Sequence, residues 1–375
     1  MARPTSTRYV TRTALRSCPF LGLTWVLIFT TLSSQAADRI ILRDLTILSK
    51  RTVVSFNVDG VVLDDGKVLA WDRIKQATVS KDQELFDKQL TELGLPLLRI
   101  RQRLRTEDYR GAQEPGEKLL PRYLGRQSES AFTVMLAATW GRIASGRNEE
   151  ALVPYLYCLE WLRERGEDAV PWPGPRRLAA DLDTGICQDI PPLWTNKPVA
   201  KKVLADVGRA VGAMRRPWPP GVRIYYASLA RAADAEESVN MALRDFPNTP
   251  SWQLYRAIAM SPTTDPGMVA RLKAGSRQGE ILPRSLALYW LGRTELENGS
   301  EVEQDVAMVR LMRVAALFGN DQPVVAAESL MLVMGHLQET GDAAGAVSIR
   351  REILERYGTT ASADRIQQES GVSGR

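Results

Sequence analysis

The chain has 375 residues, 44% hydrophobic and 25% charged, which excludes a disordered polymer, a collagen-like repeat and a many-pass membrane protein. One histidine, His336, and three cysteines leave almost no material for a Cys/His metal site or a histidine-driven nucleophile, while catalysis by carboxylates stays open. The formal charge of +5 comes largely from four arginines in residues 1–36; subtracting four from 49 leaves 45 basic residues against 44 acidic ones, too neutral a body to hold a nucleic acid.

Residues 1–36 read as a secretory signal peptide. Arg3, Arg8, Arg12 and Arg16 precede an apolar run from Pro19 to Leu32, and Ser34 and Ala36 take the −3 and −1 positions of a cut after Ala36. The run falls short of the roughly 20 residues that a bilayer-crossing helix needs. The alternative is an uncleaved N-terminal anchor that tethers the chain to the membrane through residues 19–32. In both cases the arginines stay inside and the remainder is expected to be exported, to the periplasm or another extracytoplasmic space. Cys18 precedes the run, whereas a lipid-modified cysteine would follow it. In an oxidising compartment a disulfide between Cys158 and Cys187 is feasible; the setting of Cys158 (YLYCLEWL) fits a buried free thiol equally well.

Residues 38–79 carry short β-branched and aromatic runs at Ile40–Leu42, Thr52–Phe56, Val61–Leu63 and Lys67–Trp71. Asp59-Gly60 and Asp65-Gly66 separate the later runs, and such pairs suit tight hairpins, so a meander of four or five strands is predicted. Asp59, Asp64 and Asp65 lack the alternation and distal Glu of a calcium loop and read as turn carboxylates. The phrase VSFNVDGVVLDDGKVLAWDRI resembles small Sm-like or SH3-like rolls, which implies a compact antiparallel β roll serving as a docking module or an N-terminal cap.

From Ser80 the period becomes helical. Ser80 with Gln83 has the form of a capping box, and Asn148, Asp234, Thr249 before Pro250 and Asp265 before Pro266 are further N-cap candidates. Residues 80–170 are expected to form helical hairpins and residues 222–357 a repeat array. Four segments share one phrase, a helix, a small residue, a polar turn and an Ala-bearing helix: WGRIASGRNEEALVPYLYCLEWL, YYASLARAADAEESVNMALRDFPNTPSWQLYRAIA, SLALYWLGRTELENGSEVEQDVAMVRLMRVAALFG and LMLVMGHLQETGDAAGAVSIRREILERYG. Gly146 with Ala151, Ala233 with Ser238 and Gly341 with Ala346 mark the close turns. These segments resemble tetratricopeptide repeats, which implies an α-solenoid whose concave face grips a peptide or another protein, or serves only as a scaffold. Residues 358–375 are polar and read as a flexible tail.

Residues 171–221 interrupt the array with nine of the 21 prolines. Trp172, Trp194 and Trp218 stand beside proline, and Arg176, Arg177, Arg215 and Arg216 flank two of them. Stiff loops carrying Trp can offer a flat face to a partner and the arginines can clamp an anionic group, so these seven are the binding candidates. The competing view is that they plug a gap in the array. No P-loop, G-x-G-x-x-G, H-E-x-x-H or G-x-S-x-G occurs, and no catalytic residue, metal or cofactor is assigned. His336 reads as an ordinary helical residue.

The resulting expectation is a mainly α, non-catalytic repeat protein that binds or scaffolds protein or peptide partners at the cell envelope. The alternative is a glycan hydrolase or lyase on an all-helical toroid, using Asp181 and Asp183, or Glu160 beside Trp161, as its carboxylates.

Overall fold

Short strands tied by tight turns open the described part of the computed structural model, which covers residues 38–369; the predicted signal and residues 370–375 lie outside it. Strands β1 (Arg39–Leu42), β2 (Ile47–Leu48) and β6 (Ile74–Thr78) form one antiparallel sheet in the order β2-β1-β6. Strands β3 (Val53–Asn57), β4 (Gly60–Leu63) and β5 (Val68–Leu69) form a second, in chain order. Asp64 and Asp65 sit in the β4–β5 turn and pair with Arg51, at 3.5 and 3.0 Å. Asp59 follows Val58 in the β3–β4 link and reaches Arg126 and Ser128, each at 2.9 Å.

Ile40, Val61, Trp71 and Ile74 are fully buried between the two sheets and the first helices. Trp71 lies 5.1 Å from the ring of Phe86 on α1 (Gln83–Gln89), and its indole N–H donates to the Asn57 carbonyl at 2.7 Å. A π-helical turn (Leu90–Gly94) leads into α2 (Leu95–Arg105), followed by α3 (Tyr109–Tyr123), α4 (Glu129–Ala144) and α5 (Asn148–Arg165). Arg101 on α2 joins buried Asp72 at 2.5 Å to Glu129 of α4 at 3.0 Å, and the Tyr123 hydroxyl donates to the Val58 carbonyl at 2.7 Å. The roll therefore shares its core and its buried charges with α1–α4.

The remaining helices are α6 (Lys197–Gly212), α7 (Pro220–Ala232), α8 (Glu236–Leu243), α9 (Pro250–Ala259), α10 (Pro266–Gly275), α11 (Ile281–Asn298), α12 (Glu301–Phe318), α13 (Pro323–Glu339), α14 (Ala343–Arg356) and α15 (Ala361–Glu369). Three of the four repeated phrases are helix–turn–helix units, and the second spans three helices, α7 to α9. Each helix from α2 on packs on its successor except α8, which packs on α7; α7, α9, α11, α13 and α15 also touch in sequence, forming one layer with α8, α10, α12 and α14 beside it. This packing fits a solenoid. Among the described residues no helix is long and apolar enough to cross a membrane.

Several expected starts shift. Asp265 caps α10, accepting from the Met268 N–H at 2.8 Å, but α5 and α8 begin one residue or more away from the expected caps, after Arg147 and Ala235. The capping box at Ser80 does not form: Asp82 precedes α1, and Ser80 instead donates its N–H and hydroxyl to Asp38, at 2.6 and 2.5 Å.

One other expectation is corrected and one open alternative is decided. Residues 361–369 of the supposed flexible tail form α15, because Ser362, Ala363 and Ile366 are buried and Arg365 neutralises the buried Glu328 carboxylate at 2.6 and 2.7 Å. Cys158 and Cys187 are not bridged: both are buried free thiols. Burial pushes both thiols well above their ordinary range, with the Asp189 carboxylate adding to the effect at Cys187, so they stay protonated.

Candidate functional site

The proline-rich segment between α5 and α6 runs as a strap over the α7–α15 layer. The Tyr155 hydroxyl of α5 donates to the Gly185 carbonyl at 2.9 Å. The Tyr225 hydroxyl of α7 accepts from the Cys187 N–H at 2.9 Å and donates to the Ile190 carbonyl at 2.8 Å. Beyond them, the Gln322 amide reaches the Gln188 carbonyl and Arg365 reaches the Thr195 hydroxyl, each at 3.2 Å. A chain without regular secondary structure must find partners for its backbone groups; Tyr155, Tyr225 and Gln322 supply some of them here, while Arg365 holds a strap side chain.

Where the strap parts from the helices it leaves an open groove of about 1100 Å³. Ala179–Asp181, Thr184, Ile186 and Gln188 form one wall, the N-terminal half of α9 the floor, and the α10–α11 turn the other wall. Thr249-Pro250 starts α9 and sets Trp252 and Tyr255 on the groove side. Gly275 lets α10 close onto α9, since a Cβ there would stand 2.5 Å from the Leu254 side chain.

The groove mixes flat, polar and charged surfaces. Half-buried Trp252 lies edge-on to Phe246 at 5.8 Å and tilted against Tyr255 at 5.5 Å. Burial raises the Tyr255 phenol, and the nearby Glu280 and Asp181 carboxylates raise it further, so it remains a neutral donor between two anions. Asp181 spends one oxygen on the Asp183 and Thr184 N–H groups, at 2.9 and 3.2 Å. Arg271 is exposed on the opposite wall and has no ion-pair partner among the described residues. Gln188, Gln253 and Gln278 add amides, while Ile186, Leu254 and Leu282 add apolar surface. The lining contains neither histidine nor cysteine. Such a surface is equipped to hold an extended chain by its backbone and side chains. Among the described residues no cluster of three or more His, Cys, Asp or Glu stands ready for a metal ion.

None of the seven candidates from the sequence lines this groove, and they do not gather in one place. Trp172 packs edge-on to Phe132 at 5.3 Å, with the Arg177 guanidinium 5.7 Å over its ring and paired to Glu167 at 3.3 Å. Arg176 bridges Asp189 at 2.7 Å and covers the Trp140 ring at 4.3 Å. Trp194 is buried and donates to the Ser228 hydroxyl at 2.8 Å, beside a smaller cleft of about 410 Å³. Trp218 meets Tyr226 at 5.9 Å, Arg215 pairs with Glu164 at 3.3 Å, and Arg216 is exposed. These aromatics pack onto α4 and α7, where they close gaps, and the Arg177 guanidinium covers the Trp172 ring.

Of the carboxylates considered for catalysis, Asp181 lines the groove and Asp183 does not. Glu160 is buried and accepts from the Arg215 N–H at 2.9 Å, which ties down the loop before α7. The groove residues Trp252, Tyr255, Arg271 and Glu280 were not singled out by sequence. The N-cap at Thr249 was the one local signal near them, and it speaks of a helix start only. Comparison with protein-family models, with curated proteins and with solved structures finds no match to this chain.

Proposed function

We propose that the protein is an exported, non-catalytic helical-repeat protein that binds an extended segment of a protein partner at the cell envelope, in the groove between the strap and α9–α11. The observation that carries this reading is the groove itself: apolar side chains, amides, charged groups and an aromatic floor in one open channel. Asp181 and Glu280 on either side of the Tyr255 hydroxyl suit a basic side chain of the bound segment, and Arg271 suits an acidic one further along. The export part rests on the basic and apolar character of residues 1–36.

Selection of a displayed random-peptide library on the purified protein tests it. Enriched peptides should combine apolar anchors with a basic residue. They should bind the Trp252→Ala and Arg271→Glu variants at least about tenfold more weakly, the loss expected for an aromatic or arginine hot spot. Peptides that bind both variants as well as they bind the original chain would refute the groove as the site.

A second reading has one observation in its favour, since Trp252, Asp181 and Glu280 share the groove and a glycan enzyme works with an aromatic platform and two carboxylates. It predicts new reducing ends or unsaturated products from an envelope polysaccharide, lost on Glu280→Gln. Absence of turnover across a polysaccharide panel, with peptide binding intact, decides for the first reading.

A further inference from the structure

We propose that a cleft between α5 and α6, about 360 Å³ in volume, is a binding site for a phosphomonoester, held by Arg147, Lys202, Arg209 and the Tyr157 hydroxyl. The two helices run parallel along it. At their starts the Glu149 carboxylate accepts from the Asn196 N–H at 3.3 Å, and toward their ends Glu160 accepts from the Arg215 N–H at 2.9 Å. Glu150, Val153 and Tyr157 follow one another along α5 at helical spacing, as do Lys202, Asp206 and Arg209 along α6, so each set lines the cleft as a row. With a rise of about 1.5 Å per residue on both helices, Tyr157 comes level with the stretch between Lys202 and Arg209. The cleft shares no residue with the peptide groove.

The cleft is positive although the body of the chain is nearly neutral, since its lining holds four cations against two carboxylates. Arg142 is already spent, on both Glu117 oxygens at 2.7 and 2.8 Å and on the Glu150 carbonyl at 2.6 Å. Arg147 pairs with Glu150 and lies 3.6 Å from Glu117, and Arg209 pairs with Asp206. Exposed pairs of this kind are weak, which leaves both guanidiniums free to turn onto a stronger anion. Lys202 is exposed and has no ion-pair partner among the described residues. The Tyr157 hydroxyl has no hydrogen-bond partner among them either. Burial raises its phenol, Arg209 opposes the rise and Asp206 adds to it, so the group stays a neutral donor. The outer face of α6 extends the field: residues 197–216 hold six cations and one carboxylate, offset in part by Asp234 and Glu164, and so steer anions toward the cleft.

This set of donors selects the ligand. One guanidinium fork suffices for a planar carboxylate, whereas three separate cations and a phenol around one pocket suit a tetrahedral dianion. Leu120, Leu124, Val153 and Val203 complete the lining with apolar surface, a place for the carbon body of an ester that inorganic phosphate lacks.

Isothermal titration calorimetry with hexyl phosphate tests the proposal, beside co-sedimentation with phosphatidylcholine vesicles that contain phosphatidic acid, a lipid phosphomonoester. Hexyl phosphate should bind at one site per chain, more tightly than inorganic phosphate or hexanoate at equal ionic strength. Vesicle binding that hexyl phosphate displaces assigns the site to a lipid headgroup; binding of the soluble ester alone assigns it to a free one. Lys202→Glu should weaken either interaction at least about tenfold and Tyr157→Phe about three- to tenfold, with circular dichroism confirming that each variant keeps its helicity. Arg105→Glu reverses an exposed charge on α2 outside the lining and should stay within about twofold of the original. The proposal is overturned if neither hexyl phosphate nor the phosphatidic acid vesicles bind, or if hexanoate binds as well as the phosphate ester. A folded Lys202→Glu variant that keeps full affinity overturns it too, as does a loss on Arg105→Glu equal to that on Lys202→Glu, which would reveal general attraction of anions in place of a site.

Discussion

Asp38 ties the N-terminal strands to the first helix through three short hydrogen bonds, from the Val53 N–H at 2.6 Å and from the Ser80 N–H and hydroxyl at 2.6 and 2.5 Å. Burial works to raise its carboxyl, but the bonds from Ser80 and Val53 outweigh that and hold it below its usual value. Glu117 is held down in the same way, the Arg142 guanidinium overcoming the effect of burial. A carboxylate depressed in the fold contributes stability that is complete above its unfolded-state value near 4 and drains away as pH falls through the lower folded-state value. The melting temperature should therefore fall on acidification. Asp38→Asn should cost about 1–3 kcal/mol at neutral pH, since one amide oxygen cannot serve three buried donors, and should flatten the acid limb of the curve. Melting curves of the variant that keep the full acid slope would show that Asp38 is not its source.

Among the elements, α15 carries the largest departure from expectation. Ala361–Glu369 is polar, yet its few apolar side chains lie on one face, and the buried Glu328 carboxylate on α13 takes hydrogen bonds from Ser362 and Arg365. Its first residue also meets the α4–α5 turn. Gly146 there has φ +66°, and a Cβ at that position would stand 2.5 Å from the Ala361 backbone nitrogen. Gly146→Ala should cost about 1–3 kcal/mol, from the left-handed backbone and the close approach together. Thermal denaturation measures it; a loss no greater than at Gly212, which has open space around it, would mean that α15 does not rest on this turn. The proline-rich strap behaves as an element too, its backbone paired with itself across the Ala180–Cys187 bridge and with side chains of α5 and α7.

At the scale of the whole molecule, the roll and the first helices are one folding unit. Trp71, Phe86, Leu93 and Leu97 are buried in one core, and Arg101 bridges Asp72 to Glu129 across it. Residues 38–79 alone would expose the Trp71 face and leave Asp72 without its arginine, so the isolated segment should be unfolded by circular dichroism, whereas residues 38–144 should retain the strand signal. A folded 38–79 fragment would restore the picture of an independent docking module. At the other end of the chain, Arg365 and Gln322 hold the strap and Gly146 meets Ala361, so the last helices return to the first ones.

Local pattern was readable along the chain: the change from short β-branched runs to helical spacing near Ser80 and the phrases of helix, turn and helix correspond to observed elements. These features depend on neighbours within a turn or two, where steric preference and apolar periodicity act. Only tertiary packing decided which residues share the groove, since Asp181 and Glu280 lie far apart in sequence and neither has a local feature that names the other. The same holds for the tryptophans beside proline, whose spacing suits an exposed platform and a gap-filling plug alike until a neighbouring ring covers them. Polar stretches such as residues 361–369 acquire order from a buried charge elsewhere that has to be neutralised, a demand written in no residue of the stretch itself.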